Sequence, residues 1–291
     1  MKDILADDLV RKAESKLQGF FTFFTGVNYE AAADLFKKAA AMFKSEGNWR
    51  RAGAAFKRAA QCCREVDFSY EACTHCFEAA SAFRKAGDTA DALACWEEAL
   101  QMYIESNRFH QAGKVEAEIG DMYADSREYD DAVKHYRKSM FYYLTDEYGT
   151  NIAARIQKKV AMIFVEAGNL AEASTEFDKL AVCEQNRSLR SLSREYSFAS
   201  LLCQLGLLRK DNLVEGVASI RERMAEFPSD NTISKSREYE LVEAICTAIE
   251  NGAPDDVREA IHQFSDVKQV DDWKVSILYG VVQMLETDDE R

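Results

Sequence analysis

Residues 29–60 read YEAAADLFKKAAAMFKSEGNWRRAGAAFKRAA, and the second half of this stretch echoes the first at a spacing of 20. Ala32 and Ala52 begin a series that runs on through Ala72, Ala92, Ala112 and Ala132, then Ala153 and Ala173 after one inserted residue. Three positions before each stand Tyr29, Trp49, Ser69, Thr89, Phe109, Tyr129, Thr150 and Leu170. Seven and eight positions after come Ala39-Ala40, Ala59-Ala60, Ala79-Ala80, Ala99-Leu100, Ile119-Gly120, Ser139-Met140, Val160-Ala161 and Leu180-Ala181. Offsets of −3, 0, +7 and +8 share one face of an α-helix. A bulky aromatic stands at +4 in five units: Phe36, Phe56, Trp96, Tyr136 and Phe177. Small residues let neighbouring helix backbones approach, and the aromatics fill the wider gaps. Turn signals fall between the helices at Gly47-Asn48, Gly87-Asp88, Asn107 and Gly168-Asn169. Each Gly suits a helix C-cap, and each Asn or Asp can cap the next helix. Two units make an antiparallel hairpin of about 40 residues, longer than the roughly 34 of a tetratricopeptide repeat. The expected fold is all-α: a tetratricopeptide-like solenoid of antiparallel helical hairpins.

Working outward, Leu5, Leu9, Ala13 and Leu17 predict a leading helix over 3–18. Beyond about residue 187 the pattern loosens, with helices expected near 189–209, 212–227, 233–251, 255–264 and 270–286. Pro228 follows one of these helices and Pro254 falls in the first turn of another, where proline is tolerated. The expected organisation is therefore a twisted array over 1–187, with a Phe-rich loop at 19–27. Residues 188–291 carry further hairpins and a C-terminal helical bundle with an acidic tail. A solenoid needs such a terminus because its last repeat has no neighbour to cover it.

Composition agrees with this reading. Only 13 Gly and 2 Pro occur in 291 residues, too few for the many turns of a sandwich or barrel. At 47% hydrophobic and 30% charged the chain is neither disordered nor membrane-spanning. Its 37 basic and 50 acidic residues leave a net charge of −13, which argues against nonspecific nucleic-acid binding. The N-terminal residues are charged throughout and lack the apolar core of a secretory signal. Eight dispersed cysteines read as reduced thiols, so a cytoplasmic location is expected.

Catalytic motifs are nearly absent from the sequence. The chain has no Gly-rich phosphate loop, no HExxH and no GxSxG, and His75, His110, His135 and His262 are scattered. No enzyme activity, metal or other cofactor is expected. Cys73-Thr74-His75-Cys76, with Cys62-Cys63 on the preceding helix, has the spacing of a metal or redox motif. Yet Cys73 and Cys76 occupy positions that sister units fill with Ala or Ser, and buried cysteine behaves as a small hydrophobe.

Two other features point to partners. Phe20, Phe21, Phe23 and Phe24 crowd one loop, and no helical or strand period buries all four on one face. They form either an exposed apolar loop that dips into a membrane interface or grips a partner, or a plug for the first hairpin. Lys114, Arg155, Arg194 and Arg237 follow one another at intervals of 41, 39 and 43, with Arg108 and Lys159 about a turn away. In a 40-residue solenoid that spacing stacks one cation per hairpin, a dock for an elongated acidic partner, unless each is ordinary solvated surface. The chain closes on Glu286-Thr287-Asp288-Asp289-Glu290-Arg291, a run that can meet a basic partner.

The chain resembles the soluble N-ethylmaleimide-sensitive-factor attachment proteins (SNAPs), the alpha/beta type more than the gamma type. The resemblance runs the whole length and rests on FFTFFTG at 20–26, the repeat stretch quoted above and NRFHQAGKVEAEIGDMY at 107–123. It continues through YDDAVKHYRKSMFYY at 129–143, SDNTISKSREYEL at 229–241 and VDDWKVSIL at 270–278. It implies a non-enzymatic adaptor in vesicle fusion and intracellular protein transport. Several copies wrap an assembled SNARE four-helix bundle and recruit the hexameric AAA+ ATPase N-ethylmaleimide-sensitive factor (NSF), which takes the bundle apart. By position, Arg108, Lys114, Arg155, Lys159, Arg194 and Arg237 face the SNARE bundle. Phe20, Phe21, Phe23 and Phe24 attach to membranes, giving a peripheral association. Leu285, Glu286, Asp288, Asp289, Glu290 and, more weakly, Glu250 meet the ATPase. Alpha-type members end in a leucine needed to stimulate the ATPase; here the last leucine is Leu285, so the resemblance carries binding further than stimulation. The competing expectation is a tetratricopeptide-like scaffold for a linear peptide or chaperone tail.

Overall fold

The computed structural model describes residues 2–18, 27–145, 147–226 and 236–286. Among these residues it has fourteen α-helices and no strand. The first seven are α1 (Lys2–Leu17), α2 (Tyr29–Ser45), α3 (Trp49–Glu65), α4 (Ser69–Ala86), α5 (Thr89–Glu105), α6 (Phe109–Asp125) and α7 (Tyr129–Tyr143). A short 3-10 turn (Glu147–Gly149) precedes α8 (Thr150–Glu166), α9 (Leu170–Asn186), α10 (Arg190–Gly206) and α11 (Leu213–Ala225). The chain ends with α12 (Arg237–Glu250), α13 (Pro254–Ser265) and α14 (Asp272–Glu286). Two compact units divide within α8: Met1–Ala153 and Ala154–Arg291.

The eight residues that precede the repeat alanines by three, Tyr29 through Leu170, are each the first residue of a helix. The turns explain the period. The Gly47 N–H donates to the Lys44 carbonyl (3.2 Å) and the Asn48 N–H to the Phe43 carbonyl (2.9 Å), closing α2 in a Schellman motif. The Asn48 carbonyl then accepts from the Ala52 N–H at 3.0 Å, opening α3. One residue thus ends one helix and begins the next. The same bonds recur at 67–68, 87–88, 107–108, 127–128, 168–169 and 188–189. Only one residue per turn takes a left-handed φ. That residue is Gly at 47, 87 and 168, but Asp67 (57°), Asn107 (55°), Arg127 (61°) and Ser188 (61°) elsewhere. Few glycines are therefore enough. Side-chain capping is rarer than the turn residues predict. Asn169 caps Glu172, but Asn48 and Asp88 make no such bond. The Asp88 carboxylate is instead taken by Arg50, whose Nε donates at 2.6 Å.

In the first unit consecutive helices pack antiparallel. Ala32, Ala52, Ala72, Ala92, Ala112 and Ala132 are fully buried. Rings seat over glycines: a Cβ on Gly53 would lie 2.9 Å from the Phe83 ring, and one on Gly120 2.7 Å from Tyr136. At the small-residue position of α7, Ser139 is buried and its Oγ donates to the Gly113 carbonyl at 2.7 Å. Helices two apart run parallel, joined by ion pairs at an offset of 34: Lys44–Glu78 (2.7 Å), Lys57–Asp91 (3.7 Å), Arg64–Glu98 and Arg84–Glu118 (3.0 Å). Arg51–Asp7 and Arg58–Glu14 tie α3 to α1 in the same sense.

In the second unit the repeat runs one helix further than its alanines show. Ser193 takes the alanine place in α10, buried, with its Oγ donating to the Ala181 carbonyl at 2.9 Å. From α10 onward the core changes to large aliphatics, with Leu202, Leu205, Ile220, Ile245 and Leu278 fully buried. Pro254 opens α13, as expected. The bundle helices fall within the expected ranges to within about three residues at most ends, the usual fraying uncertainty of helix boundaries.

Candidate functional site

In the first unit two of the candidate cations stand on α6. Arg108, at its N-cap, places its guanidinium 4.5 Å from the ring centre of Tyr70, and Lys114 places its ammonium 4.4 Å from that of Phe77. Tyr70 and Phe77 are two turns apart on α4, so they share a face. Elsewhere in this unit the cations bridging parallel helices meet carboxylates, which cancel their charge. A neutral ring positions a cation and contributes about 0.5–1 kcal/mol without cancelling it. In these contacts Arg108 and Lys114 are held by rings rather than by carboxylates, in a protein of net charge −13. Neither aromatic stood out in the sequence. The signal that could have found them is the offset of 37 or 38 from each cation, close to the 34 of the ion pairs.

In the second unit Arg155 and Lys159 are exposed one turn apart on α8. Lys158 reaches Glu195 on α10 at 3.5 Å, and Arg194 on α10 reaches Glu238 on α12 at 3.9 Å. Arg155, Arg194 and Arg237 thus occupy three successive members of one row of helices. Their surroundings differ. Arg155 and Arg237 are exposed, while Arg194 is half-buried and shares Glu238 with Lys268. Burial alone would raise the Glu238 pKa, but the Lys268 hydrogen bond and the charges of Lys268 and Arg194 hold it below the usual glutamate range. That carboxylate stays ionised and balances Arg194 from within.

At the far end of the bundle, Arg221 Nη1 donates to Glu250 at 2.6 Å, and Arg258 pairs with Glu286. Leu285 packs half-buried against the bundle core. The end of α12, the start of α13 and the end of α14 come together here. Asp255 and Asp256, exposed in the first turn of α13, thereby join Glu250 and Glu286 in one acidic end. Nothing in the sequence singles out either aspartate, because only the α13–α14 reversal brings them to the same end as Glu286. Phe20, Phe21, Phe23, Phe24, Asp288, Asp289 and Glu290 lie outside the described residues.

Cys62, Cys63, Cys73, Cys76 and Cys95 are buried among the alanines. Burial pushes the Cys76 thiol up to about 12 and Cys63 to about 11, and lowers the pKa of His75. Among the described residues no group of three or more His, Cys, Asp or Glu is placed to hold a metal ion. No helix of the described residues is long and apolar enough to cross a membrane.

A helical array that sets an exposed Lys114 and a half-buried Arg108 on rings in one part and gathers carboxylates in another has the character of an adaptor, a protein that holds other proteins. Residues 5–286 match the family described as soluble NSF attachment protein, SNAP, and the chain belongs to that family. The alpha-soluble NSF attachment protein of Vitis vinifera is 26% identical over 281 residues, covering 96% of this chain and 93% of the relative. The vesicular-fusion protein SEC17 of Komagataella phaffii is 26% identical over 298 residues (98% and 97%), and the beta-soluble NSF attachment protein of Bos taurus 25% over 296 (99% and 96%). These relatives are named for attachment and fusion, not for a reaction.

Proposed function

We propose that this chain is an adaptor that grips an assembled SNARE bundle through its cations and presents its acidic end to NSF, which takes the bundle apart. The observation that carries this reading is the family match across residues 5–286. Arg108, Lys114, Arg155, Lys159 and Arg237 contact the acidic surface of the bundle. Arg194 contributes less, because Glu238 already balances it. Glu250, Asp255, Asp256, Glu286 and the following Asp288, Asp289 and Glu290 meet basic surface on the ATPase. Phe20, Phe21, Phe23 and Phe24 hold the adaptor against the membrane in which the SNAREs are anchored, so the protein works in the cytoplasm as a peripheral membrane protein.

Reversing Lys114 and Arg155 together to Glu is expected to weaken binding to an assembled SNARE complex roughly tenfold (about 1.4 kcal/mol), with added salt acting in the same direction. Unchanged binding would remove the cations from the interface. Equal binding of a monomeric linear peptide and an assembled bundle would favour a peptide scaffold instead.

A further inference from the structure

The large exposed hydrophobic side chains of the first unit are not scattered. Among its described residues they are Leu5, Val27, Phe68, Tyr70, Phe141, Leu144 and Tyr148. All except Leu5 lie at one end of the helices. Because neighbours are antiparallel, that end collects the α1–α2 connection, the α3–α4 turn, the α5–α6 turn and the chain leaving α7. Val27 belongs to the first, Phe68 and Tyr70 to the second, and Phe141, Leu144 and Tyr148 to the last. Tyr148 is 85% exposed and Phe141 67%. The turns at the opposite end, Glu46-Gly47-Asn48, Ala86-Gly87-Asp88 and Ser126-Arg127-Glu128, are small or polar, and the rings that adjoin them, Trp49 and Tyr129, are half-buried.

We infer that this whole edge of the first unit rests in the interfacial layer of a lipid bilayer. The Phe-rich loop would then be one contact among several. Three observations favour a bilayer over a protein partner. The apolar groups form separate clusters divided by the polar Ser106-Asn107-Arg108 turn, so they line no single groove; a broad interface can receive separate contacts, a side chain cannot. Their chemistry is that of interfacial anchors: the tyrosine and phenylalanine rings of Tyr70, Phe68, Phe141 and Tyr148. The edge is also continuous with the proposed membrane loop, since residues 19–26 run between Gln18 and Val27, both at this end.

Charge narrows the lipid. Glu65, Asp67, Glu71 and Glu105 are exposed along the edge, against Lys16 and Arg108 and an Arg64 already paired with Glu98. An edge so provided gains nothing from anionic headgroups. The surface it fits is zwitterionic.

The inference rests on the reading of the Phe loop as membrane-facing, and the test separates the two. One variant carries Phe141→Ser, Leu144→Ser and Tyr148→Ser; a second replaces Phe20, Phe21, Phe23 and Phe24 by Ser. Both are measured by flotation with phosphatidylcholine vesicles, with and without added phosphatidylserine, and by binding to soluble assembled SNARE complex. Loss of three partly inserted apolar side chains is expected to lower vesicle partition at least roughly tenfold. Phosphatidylserine should not restore it, and soluble SNARE binding should persist. A Tyr148→Trp protein should show added quenching by brominated phosphatidylcholine, an expectation independent of the triple variant's folding. Wild-type partition of the edge variant, or no added quenching, overturns the inference and leaves the loop reading intact. Loss of partition by the edge variant alone supports the inference and removes the loop from the membrane. Loss of SNARE binding with unchanged partition overturns it in favour of a protein partner.

Discussion

The first unit builds its core from alanine and the second, from α10 onward, from leucine, isoleucine and valine. At the helix crossings of the first unit the fully buried residues include Ala39, Ala40, Ala59, Ala60, Ala79 and Ala80; in the second they are Leu202, Leu205, Ile220, Ile245 and Leu278. Alanine lets helix backbones approach closely, with aromatic rings filling the wider gaps. Branched and long side chains hold helices apart by amounts that depend on how they interdigitate. Helix lengths differ as well: α2 to α6 have 17 or 18 residues each, whereas α11, α12, α13 and α14 have 13, 14, 12 and 15. A surface that must repeat needs small residues, and a bundle that must close needs large ones.

Four substitutions would break or sharpen this contrast. The largest effect is expected from Ile245→Ala, which opens a cavity in the bundle and should destabilise the second unit by about 2–5 kcal/mol. Amide exchange should speed up in α10–α14 while protection in α2–α6 stays as it was; equal loss in both would mean that the two cores unfold as one. Next comes one substitution with opposite signs in the two units. A Cβ at Gly120 would press on the Tyr136 ring, so Gly120→Ala should lower the urea midpoint by the equivalent of roughly 1 kcal/mol despite its better helix propensity. At Gly280 on α14 nothing lies within 4 Å, and Gly280→Ala should raise stability by roughly 0.5–1 kcal/mol. The smallest effect is expected at Arg127, whose φ of 61° strains a residue with a Cβ. Arg127→Gly should stabilise by about 0.5 kcal/mol, the difference between relieving that strain and the greater freedom of glycine when unfolded. A lower melting temperature would mean that the Arg127 side chain makes a contribution beyond its backbone.

The periodic part of the fold was legible because it is one-dimensional. Counting in twenties locates Tyr29, Trp49 and the other helix starts, since each turn has one conformation and hence nearly one length. The count lapsed at Ser193 because serine had replaced alanine, although the interval from Ala173 is still 20. The left-handed residues Asp67, Arg127 and Ser188 were hidden for a related reason: the geometry favours glycine but does not require it. The basic series was legible as spacing, and Lys114, Arg155, Arg194 and Arg237 do fall on alternate helices, α6, α8, α10 and α12. What separates them is written in three dimensions. Lys114 stands on a ring and Arg194 beside a carboxylate, and each partner is set by the packing of a helix some forty residues away.

The shared turn residue has a consequence for how such a chain can evolve. Because the residue that closes one helix opens the next, the array has no slack. A single inserted amino acid would rotate the following helix by about 100° and present its charged face to the core. Duplication of a whole unit, by contrast, is a change the array can absorb. The chain carries one odd insertion, between Ala132 and Ala153, and it is met by a departure from the pattern: α7 has only 15 residues, and six residues ending in a 3-10 turn follow it. Gly149 closes that detour where any Cβ would overlap the Tyr143 carbonyl. A one-residue change in length has thus been confined to the neighbourhood where the chain passes from one compact unit to the other, the place where inheritance of the twenty-residue frame could be suspended without losing the fold.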